Sequence, residues 1–271
     1  MAQTVMNFVV GVSQTHKSIR FVLTFQKVHR FLKNDPHFDN LIIWNWIVVI
    51  IAATFYNSAF VYFTNYLGLP MYFIYVSVIL SAFDFNIVYA YRLMTCLTHK
   101  LEVWNIKVLS SGETNCDIFS KNMFQAYLDI LECYDLVEAC FQHYFFFVFQ
   151  ILFYIGEVFI HYLDLMSIAG MAIFSTVIWL MKNLAWQIML SQQCEKFYST
   201  VQSAQDNCMF VLKSNCTESV QRLCKNVRRL HRSRFSKLRV CALFRADAAL
   251  QLSLMALLTD YIVVVLQFAF L

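Results

Sequence analysis

Residues 141–163 read FQHYFFFVFQILFYIGEVFIHYL, a run in which Glu157 is the single residue among Asp, Glu, Lys and Arg. A helix crosses the roughly 30 Å hydrocarbon layer of a bilayer in about 20 apolar residues. The run therefore predicts a membrane-spanning helix. Working outward, 166–190 follows almost directly as a second such stretch. Upstream, 71–93 and 41–66 read the same way, joined by a short uncharged connection through Gly68 and Pro70, and Trp44 and Trp46 stand as interfacial anchors. A fifth stretch, 250–271, closes the chain. Hydrophobic residues make up 59% of the sequence and charged ones 14%, against about a quarter charged in a soluble domain. With 5 Gly and 2 Pro in 271 residues, a loop-rich β architecture is excluded. The expected class is an all-α membrane protein, a multi-span helical bundle.

Two long polar segments interrupt the apolar ones. In 94–140, Met123, Tyr127, Ile130, Tyr134 and Val137 recur at helical steps, and the stripe runs without Pro or Gly into 141–163. In 191–249, Val220, Leu223, Val227 and Leu230 share one face. Two amphipathic extensions on one side imply a packed helical anchor there. Separate helices lying on lipid headgroups are the alternative.

Basic residues set the orientation. Five Lys/Arg precede 41, four lie from Arg92 to Lys121, and twelve run from Lys182 to Arg245. The connections 66–70 and 162–166 and the C-terminal end carry none. The positive-inside rule then puts the N-terminus inside and the C-terminus outside. This predicts a cytoplasmic segment at 1–40, four spans within 41–190 with a cytoplasmic extension at 94–140, cytoplasmic anchor helices at 191–249 and a final span at 250–271. The last five helices of a G-protein-coupled receptor would carry every Lys and Arg outside, so that assignment is rejected. Residues 1–12 lack the basic start and small-residue cleavage site of a signal peptide. Most of the nine Cys fall in cytoplasmic segments, where thiols stay reduced. Cys140 and His143 have no second pair at ligand spacing, so no metal site is expected. Basic residues that sort topology leave no call for a nucleic-acid partner, and the sequon Asn215-Cys216-Thr217 is expected to stay unmodified on the cytoplasmic side.

Charges inside spans cost about 2.5–3.5 kcal/mol each on insertion scales, and three need a reason. Asp84, eight residues before Arg92, reads as a structural pairing. Glu157 and His161, one turn apart, either line an outward-facing cavity or reach the headgroups. Asp260 shares a helical face with Val264, Gln267 and Leu271. A carboxylate and an amide on one face at membrane depth suit either a water-lined cation pore, repeated about a symmetry axis, or a buried Asp–Gln network between helices.

The same segment carries a resemblance. Tyr261, then Ile262-Val263-Val264-Val265-Leu266, then Gln267-Phe268 resembles the C-terminal signature of insect gustatory receptors. Leu243-Phe244-Arg245-Ala246-Asp247 is similar to the stretch that precedes it. The resemblance implies a tetrameric, ligand-gated, non-selective cation channel in the plasma membrane of a sensory neuron. Its subunits would have seven spans and a cytoplasmic N-terminus, and the last helix would line the pore. The five spans would correspond to the third to seventh helices, with 5–12 as the tail of the second. The pore set would be Asp260, Tyr261, Val264, Gln267 and Phe268. Asp260 departs from the signature, which has Thr there. The ligand pocket would lie between the outer halves of the first four spans of this chain, where Asn57, Tyr62, Tyr72, Tyr75, Tyr154, Glu157, His161 and Ser167 supply aromatic walls and a few polar groups. One carboxylate in that set favours bitter plant compounds over sugars. Expected partners are a small-molecule tastant, monovalent and divalent cations, membrane lipid, and further subunits of a homo- or hetero-tetramer. No cofactor and no enzymatic activity are expected. The alternatives are a non-conducting subunit that modulates a full-length receptor, and a small-molecule transporter, whose usual internal repeats and Gly/Pro-broken helices are not found.

Overall fold

The computed structural model describes the backbone of residues 2–32, 72–110, 117–163, 169–214, 216–240 and 244–245, and single positions between 47 and 66 and between 249 and 267. Side chains are described for these outside 2–14, 72–84, 141–180 and positions 86, 183, 240 and 244. Helix α1 covers Ala2–Phe31, α2 Tyr72–Ser110, α3 Asp117–Leu163, α4 Ala169–Lys213 and α5 Glu218–Arg234. Strands β1 (Arg239–Val240) and β2 (Phe244–Arg245) then pair antiparallel, Arg239 opposite Arg245 and Val240 opposite Phe244. Apart from this ribbon the described elements are helical. Both Pro lie outside them, at 36 and 70, so none breaks a helical hydrogen-bond ladder. Helix α3 runs unbroken for 47 residues, about 70 Å at 1.5 Å per residue.

Among the described residues no helix is long and apolar enough to cross a membrane. The stretches 41–66 and 250–271 are described only at single, mostly helical positions. The side chains of 141–163, and of most of 71–93 and 166–190, lie outside the described residues.

The packed core sits where the polar extensions were read. Met123, Tyr127, Ile130, Tyr134 and Val137 are all buried on one face of α3, because side chains three and four apart lie over one another. Helix α2 meets this face with Trp104, fully buried, whose indole N–H donates to the Met123 carbonyl at 2.8 Å and whose ring lies 4.9 Å from that of Tyr127. Helices α2 and α4 make the most extensive contact in the fold. Gln193 Nε2 donates to Thr98 Oγ1 at 3.1 Å and Asn105 Nδ2 to the Thr200 carbonyl at 3.2 Å, both across 95 residues of sequence. That equal separation shows the two helices running parallel. Helix α3 is antiparallel to both, with Tyr127 opposite Gln205 and Tyr134 opposite Phe197.

Helix α1 lies along α3, burying Phe21, Thr24, Val28 and Leu32. Arg20 pairs with Glu132 at 2.6 Å and the Cys133 thiol donates to the Phe21 carbonyl at 4.0 Å. Helix α5 turns back along α4 and buries Val220, Leu223, Cys224 and Val227. Its opposite face exposes Arg222, Lys225, Arg229 and Arg232. Glu218 in the first turn and Arg232 and Arg234 in the last complement the helix dipole.

Candidate functional site

Two places gather the residues on which a chemical function would rest. The first is a cleft of about 500 Å³ lined by Ile50, Thr54, Asn57, Ser58, Val61 and Phe85. Ile50, Thr54, Ser58 and Val61 are spaced by four, four and three, with Asn57 three after Thr54, so one helical face forms one wall, and Phe85 of α2 forms the other. The volume lies in the range of small-molecule sites, about 300–1,000 Å³. The lining is apolar with three polar groups, of which the Thr54 hydroxyl donates to the Ile50 carbonyl one turn back. Asn57 is thus a predicted ligand residue that lines a cavity. Tyr62 instead points outward, its ring stacked 6.4 Å from that of Tyr66.

The other ligand candidates are placed by backbone alone. Tyr72 and Tyr75 occupy the first turn of α2, and Tyr154, Glu157 and His161 the last turns of α3; their side chains, and Ser167 altogether, lie outside the described residues. Of the pore candidates, Asp260, Val264 and Gln267 are helical, exposed positions, and their steps of four and three put them on one face. Tyr261 and Phe268 lie outside the described residues. Among the described residues no group of His, Cys, Asp or Glu is arranged to hold a metal ion.

The second place is a junction that sequence reading did not find. Tyr134 is its centre. Its ring stacks on Phe197 at 5.0 Å, meets Tyr198 edge-on at 6.4 Å and lies 5.6 Å from Phe235. Its hydroxyl donates to the Ser236 carbonyl at 3.0 Å, and the Leu238 N–H donates to the Tyr198 hydroxyl at 3.1 Å. Burial pushes both phenols up, so both stay neutral. Charged contacts surround the aromatic centre. Arg234 pairs with Asp135 at 2.7 Å, Lys237 with Glu195 at 3.3 Å, and the Arg239 N–H donates to Glu138 at 3.0 Å. Burial raises the Glu138 carboxyl, opposed by that Arg239 N–H. His231 stacks on Phe235 at 4.9 Å, and burial, then the neighbouring Arg232, lowers its pKa. Together these contacts fix 234–239 to α3 and α4, immediately before the ribbon and the C-terminal segment. They join residues about 40 to 100 apart in sequence, a distance at which local periodicity carries no signal.

No family model matches the chain, and no curated protein matches it.

Proposed function

We propose that the chain is a subunit of a ligand-gated, non-selective cation channel of the gustatory-receptor type, with its last helix lining the pore. The observation that carries the proposal is the C-terminal pattern Tyr261, five apolar residues, Gln267-Phe268, preceded on the same helical face by Asp260. Two features of the fold support it. At the described positions of 41–66 and 250–271, large apolar side chains stand bare, among them Ile51, Phe55, Tyr66, Leu252, Val263 and Val264, with Phe55 at 77% and Leu252 at 76% exposure. Apolar surface of that extent facing water is unfavourable by about 25 cal/mol per Å², and contact with lipid removes the penalty. Among the described residues most of the packed, charge-bearing core falls in the segments assigned to the cytoplasm, and it reaches into 71–93 at Ile87 and Ala90 and into 166–190 at Leu190. At its far end Ile106, Leu109, Ile118, Met209 and Phe210 are also exposed, a patch suited to contact between subunits.

The cleft around Asn57 is the candidate ligand site. A ligand held there more tightly in the open state than in the closed one shifts the equilibrium toward conduction by that difference in affinity alone. The junction at Tyr134 gives such a shift a mechanical route. It ties the segment leading into the last helix to α3 and α4, so relative movement of those helices pulls on the pore helix.

A C-terminal epitope tag tests the topology. Staining of intact cells is expected, and staining only after permeabilisation overturns the assignment of the last helix. In a conducting complex, Asp260→Asn is expected to lower calcium permeability relative to sodium. Unchanged permeation removes Asp260 from the pore.

A further inference from the structure

Helices α4 and α5 form an antiparallel hairpin whose connection spans 214–217. Cys208 lies five residues before the last residue of α4 and Cys224 six after the first of α5. The two therefore come level, and their side chains hydrogen-bond to each other. Both are free thiols, fully buried in one apolar cluster. Of the other buried cysteines, the Cys133 thiol faces the Phe21 carbonyl, the Cys140 thiol bonds to Ser18 and the Cys194 thiol bonds to Tyr198.

We propose that Cys208 and Cys224 are an oxidisable pair, which a peroxide converts to a reversible disulfide that staples α5 to α4. The division of roles follows from the hydrogen bond. Cys208 donates its S–H, which holds the Cys224 pKa below the ordinary thiol value and raises that of Cys208, and the Arg228 charge partly offsets the rise. Burial pushes the Cys133 and Cys194 thiols up to about 12 instead, so they are the poorer nucleophiles.

The Cys224 thiolate attacks one oxygen of hydrogen peroxide. An S–O bond forms, the O–O bond breaks, and the leaving hydroxide takes up the thiol proton to become water. Cys224 is then a sulfenic acid. Cys208, losing its proton, attacks that sulfur. The S–S bond forms, the S–O bond breaks, and the second hydroxide leaves with the Cys208 proton as water. Two thiols and one peroxide give one disulfide and two waters, the thiol sulfurs supplying both electrons. A dithiol reverses the step by exchange. Peroxide is close to water in size, so local opening of the hairpin suffices to admit it.

The test uses the purified full chain in detergent. It is treated with less than one equivalent of hydrogen peroxide, alkylated at its remaining thiols, digested and analysed by mass spectrometry. Trypsin cleaves after Lys213, Arg222 and Lys225, which puts Cys208, Cys216 and Cys224 on three different peptides. The expected result is equal loss of alkylation at Cys208 and Cys224, with a linked peptide of both that dithiothreitol removes. In Cys208→Ser, which keeps a donor of similar size, Cys224 is expected to stop at the sulfenic acid and to be trapped by dimedone. Oxidation of Cys96 or Cys216 while Cys208 and Cys224 stay alkylatable overturns the proposal. So does a linked peptide joining Cys224 to Cys216.

Discussion

Phe235→Ala is the sharpest test of the junction. The ring of Phe235 caps the end of α5 and touches four aromatic side chains: Tyr134 at 5.6 Å, Phe197 at 6.5 Å, Tyr198 at 6.1 Å and His231 at 4.9 Å. Removing a fully buried Phe destabilises by about 3–5 kcal/mol. Phe235 is only half-buried, so the loss expected here is about 2 kcal/mol. That loss falls on the docking of α5 and the ribbon, because α1 and α2 make none of these contacts. A shift of that size raises the undocked population roughly 30-fold. Cys224, fully buried on the inner face of α5, reports that population. Where opening and closing are fast, a slow thiol reagent labels it in proportion to the open fraction. Cys133, at the contact of α3 with α1, is the internal control. The expected outcome is labelling of Cys224 accelerated roughly 30-fold with Cys133 unchanged. Equal acceleration at both would mean that the whole bundle loosens, and no acceleration would mean that the aromatic cluster does not hold α5. Either result refutes the reasoning.

Two further outcomes follow from the same contacts. The folded-state pKa of His231 is depressed by burial, so its contribution to stability is present above the ordinary imidazole value of about 6.5 and is lost as pH falls through the folded value. Asp129 and Glu138, raised by burial, act in the opposite sense and favour the fold as pH falls into the carboxylate range. The thermal midpoint of wild type is therefore expected to drop more than that of His231→Phe between pH 7.5 and 5.5, and parallel drops would remove His231 as the cause. Trp104→Phe removes the 2.8 Å bond to the Met123 carbonyl and part of a buried ring. It is expected to destabilise by about 1–2 kcal/mol, read as a lower thermal midpoint, and an unchanged midpoint would show that the indole nitrogen contributes nothing.

The packed helical core of α3 and α5 is legible in the sequence because its signal is periodic. The α3 stripe from Met123 to Val137 and the α5 stripe from Val220 to Leu230 each place one face inward, and the structure buries both except for Leu230, which is half-buried. The partners of those faces were not legible. That α2 and α4 run parallel, joined at Thr98–Gln193 and Asn105–Thr200, depends on contacts 95 residues apart. Trp104 belongs to no periodic stripe, yet it is fully buried and closes the α2–α3 interface. The candidate site was half legible. Asn57 was singled out as a polar group in an apolar span, but its cleft is built from Thr54 and Ser58 on the same face and from Phe85, whose approach no spacing announces. An aromatic ring in an apolar span says nothing of direction, and Tyr62 points away.

Helix α3 is a single rod of 47 residues, and a rod amplifies what is done to its ends. Held in its first half, at Met123 and Tyr127 by Trp104 and at Tyr134 by Phe197, it has the geometry of a lever. A tilt of about 5° over its full length of roughly 70 Å displaces one tip relative to the other by about 6 Å, a full turn of helix. A displacement of one end by a fraction of that is therefore felt at the other without any residue in between changing its rotamer. Stiffness along this one element sets how faithfully the nudge arrives. A Pro placed between the clamp and either tip, where it would hinge the arm, should disconnect the two ends while leaving each intact.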